Sequence, residues 1–291
     1  MSGQQMTVST PATIPLSEVQ VKIAQENPRN IVQLTKSALA DLSAYPDLAD
    51  QMHYSIPYKD NRHRRLTFVE GLGIKAAMAL RYHWGNCADG ARVADDRGDQ
   101  VIVQGMFFDY ERNILTLRDL EVSKFNKGKN AYRLSDEALR KQVGAGQSKA
   151  VRNAILASLP VPLKELYFRT VRTLVLMPPK GQKPKSYADR IQDAKAYFER
   201  TYGLKTGEAQ SLVDRTLEGS PGLSDENLLW YLIGVKNAIR EGAVDVNYIF
   251  RDARPPQMPR EKTPGNDAPP EDSETTLPEG LEPSEPGEPK E

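Results

Sequence analysis

The sequence predicts an α+β protein: a helix, a three-stranded antiparallel meander and packed helices, followed by a small helical module and disordered termini. Three observations carry that expectation. An apolar stretch with helical spacing precedes consecutive β-rich segments separated by turn residues. Beyond those segments only helical patterns occur, each bounded by proline, glycine or a capping serine. Both ends of the chain are polar and nearly free of aromatic residues.

Residues 1–15 are uncharged and rich in Ser, Thr and Pro, and are expected to be disordered. The core is expected over 16–180. Within it, LTFVEGLGIKAAMALRYHW (66–84) places Val69, Leu72, Ala76, Ala79 and Leu80 at helical spacing, which predicts a helix from about 70 to 84 with Gly71 and Gly73 weakening its start. GARVAD, QVIVQGMFFD and NILTLRDLEV follow, with turn signals at Asp96-Arg97-Gly98-Asp99 and around Arg112-Asn113, and predict a meander over about 90–123. After a Lys/Gly/Asn loop (124–130), a short helix is expected from Ser135, whose first turn holds Asp136 and Glu137, to a break at Gly144-Ala145-Gly146. A longer helix over 147–159 has Val151, Ile155 and Leu159 on one face and Lys149, Arg152 and Asn153 on others. Pro160 and Pro162 stop it and start another over 163–176, with Leu163, Leu166, Tyr167, Val171 and Leu174 as its buried stripe.

MPPKGQKPKS (177–186) reads as an extended link. It leads to a helical module over 187–252, with Ser186 and Ser224 as N-caps and Gly203 and Gly242 as stops. There Leu228, Leu229, Leu232, Val235 and Ile239 form a stripe that a three-helix unit would bury. The Pro/Glu/Gly-rich segment 255–291 is expected to be a disordered acidic tail.

The formal net charge of zero hides a segregation. Residues 261–291 hold ten Asp/Glu against two Lys, a net of −8, so residues 1–260 carry +8. A basic body with an acidic tail points to a polyanion-binding surface and a competitor or partner hook, the alternative being a tail that serves solubility alone. The positive charge concentrates at 59–65, net +3, and at 124–152, where eight Lys/Arg face Asp136 and Glu137, with Phe125 and Tyr132 among them. Phosphates attract Lys and Arg through counterion release and aromatic faces stack on bases, so single-stranded nucleic acid requires both; the competing reading is a solvated charged face.

Other chemistries find little footing. Cys87 is the only cysteine, and with His53, His63 and His83 it makes no zinc spacing. No apolar stretch approaches the roughly 20 residues of a membrane span and the N-terminus lacks a secretory pattern, so no membrane association and a cytoplasmic location are expected. GxxxxGK[ST] and GxSxG are missing and Gly71-Leu-Gly73 lacks a third glycine, so neither ATP use nor any cofactor is expected. A metal-dependent nuclease would have to use Asp109, Glu111 and Glu121 with Lys124, but the odd spacing from Glu121 to Lys124 puts them on opposite faces of a strand. No enzyme is expected. Trp84, at the junction of helix and first strand, reads as a core anchor rather than a base-stacking platform.

Gly71-Leu-Gly-Ile-Lys-Ala-Ala-Met-Ala-Leu-Arg-Tyr-His-Trp-Gly-Asn86, Gly90-Ala-Arg92, Asp109-Tyr-Glu-Arg-Asn113 and Ala150-Val-Arg-Asn-Ala-Ile-Leu-Ala-Ser-Leu-Pro160 together resemble the phage RecT-type single-strand annealing proteins over about 66–176. A weaker pattern from Phe198 to Phe250 resembles the helical module that follows in that group. The resemblance implies ATP-independent annealing of complementary single-stranded DNA in a bacterial host cell. It also implies homo-oligomeric rings or filaments, a basic groove between sheet and helices, and cooperation with a phage exonuclease or host single-strand-binding protein. Carried over by position, Lys75, Arg92, Lys149 and Arg152 take the basic places, followed by Lys124, Lys127, Lys129 and Arg133 in the loop. The acidic tail departs from the pattern of a docking tip, since it has no aromatic end. From a different class, a phage structural or adaptor protein that binds a protein partner is the alternative.

Overall fold

The computed structural model describes residues 18–59, 66–125, 132–177 and 185–250. The expectations for 1–15, for the basic residues 60–65, for Lys127 and Lys129, for most of the link at 177–186 and for the tail at 255–291 lie outside the described residues.

The protein is α+β. Helices α1 (Glu18–Glu26) and α2 (Ile31–Ala44) lead through a 3-10 turn (Pro46–Gln51) into an antiparallel hairpin, β1 (His53–Lys59) with β2 (Leu66–Leu72). Next come α3 (Ile74–Trp84) and a three-stranded antiparallel sheet in the order β3 (Cys87–Arg97), β4 (Gln100–Asp109), β5 (Ile114–Ser123). The remaining described elements are α4 (Asp136–Ser158), α5 (Val161–Leu176), α6 (Tyr187–Tyr202), α7 (Glu208–Gly219), α8 (Asp225–Arg240) and α9 (Val246–Phe250). No helix of the described residues is long and apolar enough to cross a membrane.

The meander forms where its turn residues place it. Gly98 and Asp99 close the first hairpin, and Asn113, at φ 53°, turns the second. The inner face of β4 presents Val101, Val103 and Phe107, all fully buried, to α4 and the helices behind it. That packing corrects the expected break at Gly144-Ala145-Gly146, because α4 runs through it without interruption. Gly146 is there for clearance rather than to end a helix: a Cβ on it would come 2.5 Å from a methyl of Val122. Gly105 of β4 does the same from the sheet side, since any side chain there would run into the Ala150 backbone.

The helix expected from about 70 begins instead at Ile74. Val69 and Leu72 belong to β2, paired with Ile56 and His53 of β1. The hairpin is covered by α8: Gly234 lies directly against Ser55, and the ring of the buried His53 stacks on Trp230 at 3.5 Å between centroids. Asn237 donates its amide to the His53 carbonyl at 2.8 Å. In consequence the helices after 186, expected as a separate module, belong to one compact unit with the preceding core, and one apolar cluster runs from Leu34 to Phe250.

Local signals fix the helix ends. Ser135, Ser186 and Ser224 cap α4, α6 and α8, their hydroxyls accepting from the N–H groups of Ala138, Asp189 and Asn227. Pro162 sits in the first turn of α5. The left-handed Gly203, at φ 60°, stops α6.

Candidate nucleic-acid interface

Three of the predicted basic residues converge. Lys75 projects from the first turn of α3, and Lys149 and Arg152 lie one turn apart on α4. The charges of all three act on a single carboxyl, that of Glu241, which immediately follows α8. Glu241 Oε1 accepts from the Ile74 N–H at 3.0 Å, capping α3, whose N-cap residue Gly73 has no side chain to do so. A Cβ on Gly73 would approach Glu241 Oε1 to 2.6 Å, so the bare backbone is what admits the carboxylate.

The cations differ in how they are held. Lys75 is exposed and donates to Gln51 Oε1. Lys149 is half-buried and donates to the Gly242 carbonyl at 2.5 Å. Burial, and then the neighbouring Arg152, pull its ammonium down to about 8. Arg152 is largely enclosed: Nε and Nη2 share Asn153 Oδ1 at 3.1 and 3.0 Å, and the guanidinium lies 4.7 Å from the centre of the Tyr54 ring. Its Nη1 stands 3.9 Å from Glu241 Oε2, too far for a hydrogen bond, and both atoms are buried without a hydrogen-bond partner among the described residues. Burial pushes the Glu241 carboxyl above the usual carboxylate range, against the opposing pull of the Ile74 N–H and the three cations.

Towards its N-terminal end α4 carries a looser basic ridge, in which Lys141 lies nearer the side of Lys149 and Arg152 while Arg140, nine residues before Lys149, stands about half a turn round the helix from it. Arg140 and Lys141 are exposed, Lys141 paired with Glu137 at 2.7 Å. At the far end Arg133 is exposed and bridges Phe125 across the base of the loop. Phe125 and Tyr132 are 37% and 59% exposed there. Asp136 and Lys149 are separated by about 20 Å along the helix axis.

Two predicted residues do not join the ridge. Arg92 faces away from α4, on the side of the sheet opposite Gly105, where it donates to Gln104 Oε1 at 3.0 and 2.8 Å. Gln104 in turn donates to Asp119 at 2.8 Å, which makes a polar ladder across the strands. Lys124 is buried and paired with Asp96, so its charge is already neutralised inside the fold. The eight positions therefore do not line one groove.

The carboxylates considered for metal chemistry are dispersed as well. Asp109 and Glu111 both bind Arg29: Nη1 and Nη2 meet the two Asp109 oxygens at 2.9 Å each, and Nε lies 3.2 Å from Glu111. Trp84, 1% exposed, adds its indole N–H to Asp109 at 3.1 Å and lies under the Arg29 guanidinium, as a core anchor should. Glu121 pairs with Ile102 on the far face of the sheet. No three His, Cys, Asp or Glu of the described residues come together as a metal site.

Sequence reasoning missed Glu241, Tyr54 and Arg29. Glu241 stands just before the predicted stop at Gly242, but nothing local ties it to Ile74, 167 residues away. Comparison with protein-family models, with curated proteins and with solved structures finds no match to this chain.

Proposed function

We propose that the protein binds single-stranded nucleic acid along the α4 ridge and anneals complementary strands without ATP, as a phage-type recombination protein acting as an oligomer. The observation that carries the reading is the ridge itself. Cations run from exposed Lys75 and half-buried Lys149 to exposed Arg133, and end at exposed Phe125 and Tyr132. Cations along a helix engage phosphates without regard to sequence, and rings at its end stack on bases. Base pairing then supplies recognition and the protein supplies charge screening, so no catalytic group is required. The resemblance of the segments around Lys75 and Lys149 to RecT-type proteins supports the same reading, with Arg92 and Lys124 as supports of the sheet rather than DNA contacts.

The test is the annealing rate of complementary oligonucleotides at low salt with the purified protein. The reading expects acceleration without ATP, both strands remaining intact when Mg²⁺ is added. An unchanged rate would refute it, and degradation of the strands would restore the nuclease alternative.

A further inference from the structure

We propose that Glu241 occupies a seat built for a backbone phosphate, and that a nucleic acid binds there by displacing it. The proposal rests on the nucleic-acid reading above. The seat draws on separate segments of the chain: the Ile74 N–H at the start of α3 and the Arg152 guanidinium stand nearest the carboxylate, while the ammonium groups of Lys149 and Lys75, which donate to the Gly242 carbonyl and to Gln51, act on it through their charge. Three positive charges and a helix N-terminus face one negative charge, an excess suited to a second anion.

Glu241 fills this seat badly. One oxygen reaches the helix N–H, while the other stands 3.9 Å from Arg152 Nη1, and those two atoms are buried without a hydrogen-bond partner among the described residues. A carboxylate has only two oxygens, held in one plane. A phosphodiester presents its non-bridging oxygens from a larger tetrahedral centre, and can meet the helix N–H and the guanidinium together while keeping the same single negative charge. The absent Cβ of Gly73 leaves the backbone open to either anion. Because Glu241 lies beyond the last turn of α8, withdrawing its side chain disturbs no helix interior. Glu241 thus acts as an internal competitor, raising the threshold for strand binding.

The experiment compares the full chain with Glu241→Gln, using anisotropy of a labelled single-stranded oligonucleotide over a series of salt concentrations. The variant is expected to bind about tenfold more tightly, the scale of one charge-assisted hydrogen bond. Its salt slope should steepen by about one unit, for one more phosphate neutralised. The gain should vanish when Lys75→Ala and Lys149→Ala are added. Equal or weaker binding by folded Glu241→Gln, with wild-type binding intact, overturns the seat and leaves the nucleic-acid reading standing. Should neither protein bind the oligonucleotide, inorganic pyrophosphate decides. A raised melting midpoint for Glu241→Gln alone upholds the seat and removes the nucleic-acid reading, and no shift in either protein overturns the seat. If Glu241→Gln does not fold, Glu241→Asp, whose shorter side chain cannot span to the Ile74 N–H, is judged by the same criteria.

Discussion

Asp109, buried, and Glu241, largely buried, are two carboxylates that each face an arginine, Arg29 and Arg152. Asp109 is saturated: both oxygens receive the Arg29 fork at 2.9 Å, and Trp84 and the backbone of the β4–β5 turn add further donors. Burial alone would raise its carboxyl, yet those hydrogen bonds hold it below the ordinary range. Glu241 has one good hydrogen bond and a distant arginine, and burial wins, so its carboxyl rises. The difference separates a pair that fastens the fold from a cluster with charge to spare. Arg29 ties the segment between α1 and α2 to the ends of α3 and β4, whereas Arg152 sits in a ring of cations whose outer members reach solvent.

The largest expected effect is on the saturated side. Arg29→Ala leaves Asp109 buried without its partner, and should lower stability by about 3–5 kcal/mol in urea unfolding. A decrease under about 1 kcal/mol, the scale of a surface pair, would break the contrast.

Acid titration sharpens it next. The ring nitrogen Nδ1 of buried His53 has no hydrogen-bond partner among the described residues, and burial lowers its pKa from 6.5 to about 4. Since the folded value lies below the unfolded one, its contribution is complete above pH 6.5 and is lost as pH falls from there to about 4, roughly 3 kcal/mol in all. His53→Phe, which keeps the stack on Trp230, should flatten this window. Asp109, also depressed, keeps its contribution until the pH falls through its folded value. Glu241 has the opposite sign: its raised carboxyl makes ionisation oppose folding, so stability declines as pH rises through that value. Equilibrium unfolding of Asp109→Asn and Glu241→Gln across this range should show opposite changes of slope.

Smaller effects belong to the ridge. Phe125→Ala and Tyr132→Ala should each weaken single-strand binding by about 1–3 kcal/mol while leaving the melting midpoint nearly unchanged, the scale of one stacked base. Unaltered affinity in both would remove the aromatic end of the surface. Least of all, raising the pH from 7 to 9 should reduce affinity by about twofold to threefold as one cation, Lys149, is neutralised through its value of about 8. In Lys149→Ala that drift should disappear.

Much of the fold was legible because its signals are local. Serine caps, the turn at Gly98-Asp99 and the left-handed Gly203 act within a few residues of where they stand. The hairpin was not, since Val69 and Leu72 also fit helical spacing, and the stacking and close packing that hold β1 come from Trp230 and Gly234 far along the chain. Gly144 and Gly146 read as a break because propensity knows nothing of Val122 across the interface. At the site, Lys75, Lys149 and Arg152 could be named from the resemblance. That Glu241 gathers them is a tertiary fact with no trace in spacing.

The central claim, that the cations around Glu241 form a nucleic-acid surface rather than another fastening, is tested most directly by anisotropy of a labelled single-stranded oligonucleotide at two salt concentrations. The titration compares wild type with the Lys75→Ala/Lys149→Ala double variant. The account predicts tight, salt-sensitive binding by wild type and a salt slope lower by about one to two units in the folded double variant, roughly one for each phosphate that is no longer neutralised. Equal affinities and slopes in the two proteins would contradict it.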